Sequence, residues 1–231
     1  MRNFIFAFLF LFLPIALPFG AFAQSQIEIR QSGETEIGRS SATRFYYLFE
    51  NERFTTPLQE VKFDSAGHGT FRFKRKDSDE IVNELDVSPV LLSQIQLLFS
   101  DLNFLESNVD YQHKKDFSHL GTVTIAMSRD GKERMVKFNY TDNTAMSKLR
   151  ELFQNLAIQE TRVFEMETVR SNDPISTPAQ LRMLESELRS KHIADPNRFV
   201  PILKDIKLDE GVPLIARNHA ERLLQSIKKG K

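Results

Sequence analysis

The sequence predicts an α+β protein: an antiparallel, hairpin-rich sheet packed by two helices, followed by an all-α C-terminal extension. Three observations predict it. Short runs of alternating apolar and polar residues cluster before residue 90 and again over 121–140, with turn residues between consecutive runs. Two longer stretches, 88–102 and 144–168, repeat apolar residues at helical spacing. From Thr177 onward the period is helical, and proline opens each of three segments.

The N-terminus reads as an address. Arg2 precedes an unbroken apolar run from Phe4 to Leu13, and Ala21-Phe22-Ala23 offers small residues for cleavage before Gln24. The run is about half the ~20 residues a membrane span needs, and Pro14 and Pro18 break the stretch after it. No cysteine stands after the small residues, which excludes a lipid-modified N-terminus. Residues 1–23 are therefore expected to be a signal peptide, and the remainder an exported protein, periplasmic or secreted and soluble after cleavage. Without Arg2, 30 basic residues face 31 acidic ones, so nucleic acid or an anionic membrane has no bulk electrostatic attraction for the chain. The absence of cysteine excludes disulfides, a thiolate nucleophile and Cys-bound metals. A cysteine-free exported chain suits a bacterial envelope.

Residues 24–42 are polar, contain two glycines and show no period, which predicts a flexible N-terminal segment. The α+β domain is expected over 43–170. Arg44–Phe49 is aromatic-rich and bounded by polar residues, which suits a strand and makes it a candidate contact edge. In 58–75, Gln59, Val61 and Phe63 alternate with Leu58, Glu60 and Lys62. Phe71 and Phe73 alternate with Thr70, Arg72 and Lys74, and Asp64-Ser65-Ala66-Gly67 turns between the two runs. Residues 80–87 extend this hairpin. Ser88-Pro89 caps a helix whose stripe is Leu92, Ile95, Leu98 and Phe99. A polar loop then leads to a strand over 121–128. Arg129-Asp130-Gly131-Lys132 turns it back into Met135–Tyr140, because Asp-Gly supplies the positive φ a tight hairpin needs. Thr144 is expected to cap a long helix carrying Met146, Leu149, Leu152, Phe153 and Leu156, continuing toward Arg170. Ser171–Pro178, with two prolines among capping residues, marks a boundary. Residues 177–231 form the helical extension, with helices opened by Pro178, Pro196 and Pro213.

Two resemblances accompany this reading. The segment from about Phe63 to Leu156 carries Gly69-Thr70-Phe71-Arg72-Phe73, then Phe99, Leu102, Phe104 and Leu105, then Tyr111 and Asp116, then Thr122 to Ile125 with Gly131 and Lys132. This order resembles a family of exported bacterial domains of unknown function. The proline that usually opens the family's last helix is replaced by Thr144-Ala145. The family implies no activity. In the extension, Asp195-Pro196 and Phe199 to Leu203, together with Asp209, Val212, Arg217, Ala220 and Leu224, are similar to a HEAT-type repeat. That resemblance implies a protein-contact surface, and a single unit has to pack on the rest of the chain or on a partner.

One local cluster could carry chemistry. Asp110, His113, Asp116 and His119 alternate carboxylate and imidazole every three residues, and on a helix they would share a face suited to Zn, Mn or Ni. Lys114 and Lys115 within it repel a cation, and the segment also reads as a solvated loop before a strand. Asp77/Asp79 and Glu165/Glu167 read as solvated faces. Serine-hydrolase, zinc-protease, phosphate-loop and calcium-loop motifs do not occur in the sequence. No catalytic residue and no cofactor is expected. The sequence thus points to a non-catalytic module contacting another envelope protein. The alternatives are a small-ligand carrier with an apolar pocket between sheet and helix, and a metal-binding protein using the 110–119 loop.

Overall fold

The phenylalanines of the strands all face one way, and that face organises the molecule. The computed structural model describes residues 43–230; the segments read as signal peptide (1–23) and flexible N-terminal segment (24–42) lie outside them. The fold is α+β. Six strands, β1 (Arg44–Glu50), β2 (Leu58–Asp64), β3 (His68–Lys74), β4 (Glu80–Asp86), β5 (Thr122–Arg129) and β6 (Lys132–Phe138), form one antiparallel sheet in the order β4-β3-β2-β1-β5-β6. β1 is central, paired with β2 on one side and β5 on the other, so Arg44–Phe49 is not a sheet edge. Its aromatics are spent on the core: Phe45 and Tyr47 are fully buried.

Register explains which residues meet. Val61 pairs with Tyr47 and Phe71, and Tyr47 with Ile125, so these four share the inner face. Phe63 is opposed by Gly69, which is opposed by Leu85. A Cβ at Gly69 would lie 1.8 Å from the Lys62 carbonyl oxygen, so only glycine lets β2 and β3 close at this point. Asp130 (φ 54°) and Gly131 (φ 77°) are both left-handed, the geometry of a two-residue hairpin turn that matches strand twist. Pairing therefore resumes at once, Arg129 opposite Lys132, and β6 begins three residues earlier than the sequence suggested and ends at Phe138.

α1 (Pro89–Asp101) carries the chain from the β4 edge to β5, and α2 (Thr144–Asn172, 29 residues) lies beside it. Both bury their stripes against the inner face: Leu91, Leu92, Ile95 and Phe99 from α1, Met146, Leu149, Phe153 and Leu156 from α2. Phe153 is the hub. Its ring stacks on Tyr47 at 5.3 Å, meets Phe63 at 6.0 Å and presents to Phe99 edge-on at 6.4 Å. Truncating such a side chain to alanine costs about 3–5 kcal/mol. Two caps differ from expectation. Asn143, not Thr144, is the N-cap of α2, its side chain accepting from the Met146 amide at 2.9 Å; asparagine reaches this amide with an oxygen that threonine at the next position cannot aim. Pro89 does open α1, but Ser88 makes no side-chain cap bond and its hydroxyl is buried without a partner.

The extension comprises α3 (Thr177–Arg189), α4 (Val200–Leu208) and α5 (Leu214–Lys229), with short 3-10 turns at Pro174–Ser176 and Pro196–Phe199. Pro196 therefore opens a 3-10 turn, and Pro201 lies in the first turn of α4. The helices enclose a second core of Leu181, Leu184, Phe199, Leu203, Ile206 and Leu224, closed by Val163 and Met166 of α2. The chain turns between α2 and α3 at 173–176, yet α2 runs through both cores. Its first half covers the sheet and its last third covers the extension. The described residues fall within one compact unit. No helix among them is long and apolar enough to cross a membrane.

Candidate functional site

The 110–119 segment folds as a loop ending in a short 3-10 turn, Ser118–Leu120, so the helical face that would align its four ligand types does not form. Three of the four side chains are engaged locally. Asp110 accepts from the Gln112 amide at 2.9 Å and Asp116 from the Ser118 amide at 2.9 Å, both closing Asx turns. Asp116 also accepts from the Asn139 side chain at 2.7 Å. His113 Nδ1 accepts from the Lys115 amide at 2.9 Å, which leaves Nε2 to donate to Asp142 Oδ2 at 3.1 Å. Its ring packs edge-on against Phe117 and Tyr140. His119 is exposed, and its carbonyl oxygen accepts from the Asn51 side chain. Among the described residues, no group of three or more His, Asp or Glu side chains is placed to hold a metal ion. The loop is a polar clasp fastening the chain to β6: Gln112 exchanges hydrogen bonds with both the amide and the side chain of Asn139.

The surface that folding does not explain is the other face of the sheet. Both α1 and α2 pack on the phenylalanine face. The opposite face presents, across neighbouring strands, Val82, Arg72, Glu60, Leu48, Thr124 and Lys137 in one row. The next row is Glu84, Thr70, Lys62, Tyr46, Ala126 and Met135. At its centre Glu60, only 3% exposed, is held by Lys62 and Arg72, and Arg72 also bonds Glu80 at 2.8 Å. Lys62 Nζ stands 5.6 Å over the Tyr46 ring. Burial, reinforced by the Glu60 charge, pushes the Tyr46 hydroxyl up to about 12, so it remains a protonated donor at neutral pH. The Thr124 hydroxyl, on a residue 2% exposed, has no hydrogen-bond partner among the described residues. Toward the edges Val82 and Met135 are 60% and 43% exposed.

Glu60 is neutralised by two cations and Tyr46 keeps its proton, so among the described residues of this face no base stands free beside a nucleophile. Sequence alternation separated the two faces of β2 and β3 correctly but left open which was inward. The turn at 64–67 places Glu60 opposite Arg72, and that opposite-charge pair was the signal that could have located this centre. Of the acidic pairs, Asp77, Asp79 and Glu167 are exposed as expected. Glu165 is not a solvated side chain: it bonds Arg75 of the sheet domain at 3.0 Å and Arg162 at 2.5 Å. Neither a protein-family model nor a curated protein sequence matches the chain.

Proposed function

We propose that this chain is an exported, non-catalytic protein-interaction module of a bacterial envelope, and that it binds its partner through the sheet face opposite α1 and α2. The observation that carries the reading is the composition of that face. Tyr46, Leu48, Val82 and Met135 are interleaved with Arg72, Lys62 and Lys137, and of these Tyr46, Met135 and Arg72 are of the types enriched at protein interfaces. An antiparallel sheet face that meets only water is ordinarily polar throughout. The signal-like residues 1–23, the near-neutral charge and the absence of catalytic motifs support the same reading. So do the resemblances of 63–156 to exported bacterial domains and of the extension to a HEAT-type repeat.

A photo-crosslinking residue placed singly at Val82, Met135, Ser93 or Asn218 in cells tests it. All four positions are exposed, the first two on the sheet face and the others on α1 and α5. Discrete adducts are expected from 82 and 135 only. Adducts from Asn218 alone would transfer the contact surface to the helical extension, and adducts from none would overturn the proposal.

A further inference from the structure

β6 is a sheet edge: among the described residues only β5 pairs with it. The direction of its backbone groups follows from the hairpin. Arg129 and Lys132 flank the two-residue turn, so they form a hydrogen-bonded pair, and such pairs recur at every second residue. Lys132, Arg134, Val136 and Phe138 therefore turn their N–H and C=O groups toward β5, while Glu133, Met135 and Lys137 turn theirs outward. Asn139 is next in the outward set, and its amide donates to Gln112 Oε1 at 2.9 Å. The 110–119 loop thus takes up the edge at Asn139. Before it, among the described residues, no backbone group bonds the outward side of Glu133, Met135 or Lys137. The side chains of these three residues lie on the sheet face opposite α1 and α2, and all three are exposed.

We infer that β6 pairs antiparallel with β6 of a second copy of this chain, about a two-fold axis at Met135. The strand is self-complementary about that residue. An antiparallel pair centred there sets Glu133 opposite Lys137 of the second copy, Lys137 opposite its Glu133, and Met135 opposite its Met135. All of these are outward-turned positions, so each pair exchanges both backbone hydrogen bonds, and opposite charges flank an apolar centre on one face. Moving the centre one residue either way sets Met135 against Glu133 or Lys137. The remaining charge then faces the Gly131 turn or the clasped Asn139. β4, the other edge, carries Glu80, Glu84 and Asp86 and no base, and the same operation about Val82 would oppose Glu80 and Glu84. An edge of one sign repels its own copy, whereas an edge with both signs placed symmetrically is a template for it. This inference goes beyond the proposal for the sheet face, because pairing uses the edge and leaves Tyr46, Leu48 and Arg72 uncovered.

Sedimentation equilibrium of the purified chain over a concentration series tests it, and a monomer–dimer equilibrium is expected. Met135→Pro removes an N–H that bonds nothing within one copy, a change that edge strands tolerate on their solvent side, and should abolish the dimer. Glu133→Lys and Lys137→Glu each set like charges opposite one another and should weaken the dimer about fivefold or more. The double variant should restore it, as should an equimolar mixture of the two single variants. Val82→Arg, on the sheet face but at the far edge, should leave the dimer unchanged. A chain that stays monomeric to about 1 mM overturns the proposal, and so does a dimer indifferent to both single charge reversals. Loss of the dimer in Val82→Arg would assign the contact to the sheet face, which overturns the edge pairing and leaves the reading of the face standing.

Discussion

Arg198 lays its guanidinium along the Glu160 carboxylate: Nε reaches the two oxygens at 3.2 and 3.3 Å, and Nη2 reaches Oε2 at 3.1 Å. Glu160 lies in α2 and is 4% exposed; Arg198 lies in the turn that precedes α4. Gln159 donates to Glu160 at 3.0 Å and accepts the Asp195 amide at 2.7 Å. One turn of α2 is thus stitched to the 195–198 segment by polar bonds, where the apolar faces of the two cores give way to each other. A second tie lies further along, where Arg162 bonds Glu187 of α3 at 2.7 Å.

Breaking the first tie should be costlier than removing it whole. Arg198→Ala leaves the Glu160 carboxylate buried and unpaired, and a loss of about 2–3 kcal/mol is expected, moderated because Arg198 is partly exposed. The double variant Glu160→Leu/Arg198→Met should recover most of that loss, since an apolar pair of similar size needs no partner. Urea unfolding of Glu160→Leu, Arg198→Met and the double variant measures the coupling. Additive single-variant losses would show that the pair does not act as a unit.

Lys191 should be replaceable to advantage. It follows Ser190, the C-cap of α3, with φ 58°, in the left-handed region, while His192 N–H returns to the Glu187 carbonyl at 2.9 Å. This is a helix-ending turn that usually carries glycine. Left-handed backbone costs a side-chain-bearing residue about 1–2 kcal/mol, and glycine returns part of the gain through a more flexible unfolded chain. Lys191→Gly should raise the urea midpoint by an amount equivalent to about 0.5 kcal/mol, with the slope unchanged, and Lys191→Ala should not. A lower midpoint for the glycine variant would contradict the backbone argument.

The same turn marks where the sequence could be read and where it could not. Strands β1 to β5 and the helices can be read from period and punctuation, because Phe71 and Phe73 or Leu149 and Phe153 repeat with unmistakable spacing. The left-handed Lys191 and Asn103 escape, since neither is glycine and only the hydrogen bonds around them reveal the conformation. The central place of β1 escapes as well. Strand order depends on β5 returning beside Arg44–Glu50, a pairing more than seventy residues distant in sequence that no local pattern encodes. The sharing of α2 between two cores is half legible: Val163 and Met166 continue the apolar stripe, but the partner they face is set by Arg162, Glu187 and Glu160, polar residues that read as surface.

Alkaline pH should unfold this protein through its tyrosines. Burial pushes the Tyr46 hydroxyl up to about 12 and raises Tyr47, stacked on Phe153, further. Unfolded tyrosine ionises near its ordinary value, about 10. The folded state therefore holds protons that the unfolded state releases, and stability present below about pH 10 is lost as pH rises above it. Melting temperature should fall steeply from pH 10 upward. Tyr47→Phe should flatten that fall, provided comparison is made with its own melting temperature at pH 8, and Tyr46→Phe should flatten it less. A Tyr47→Phe variant with an undiminished alkaline slope would remove the buried phenol as the cause.

His68 should titrate above its ordinary value of about 6.5. It pairs directly with Asp86 across β3 and β4, Nδ1 to Oδ1 at 2.6 Å. The hydrogen bond to Asp86 is the main reason for the upward shift, with the Asp86 charge second. Because the folded pKa is raised, the contribution to stability is fully present below about pH 6.5 and disappears as pH rises through the folded value. Both side chains are exposed, so salt should screen the effect. The imidazole C2 proton of His68, tracked by NMR, should show a midpoint above 6.5 that moves down in Asp86→Asn and in 1 M salt. The stability gap between the parent and Asp86→Asn should open only on acidification and close by pH 9. A midpoint unmoved by Asp86→Asn would mean that the carboxylate does not hold the ring in solution.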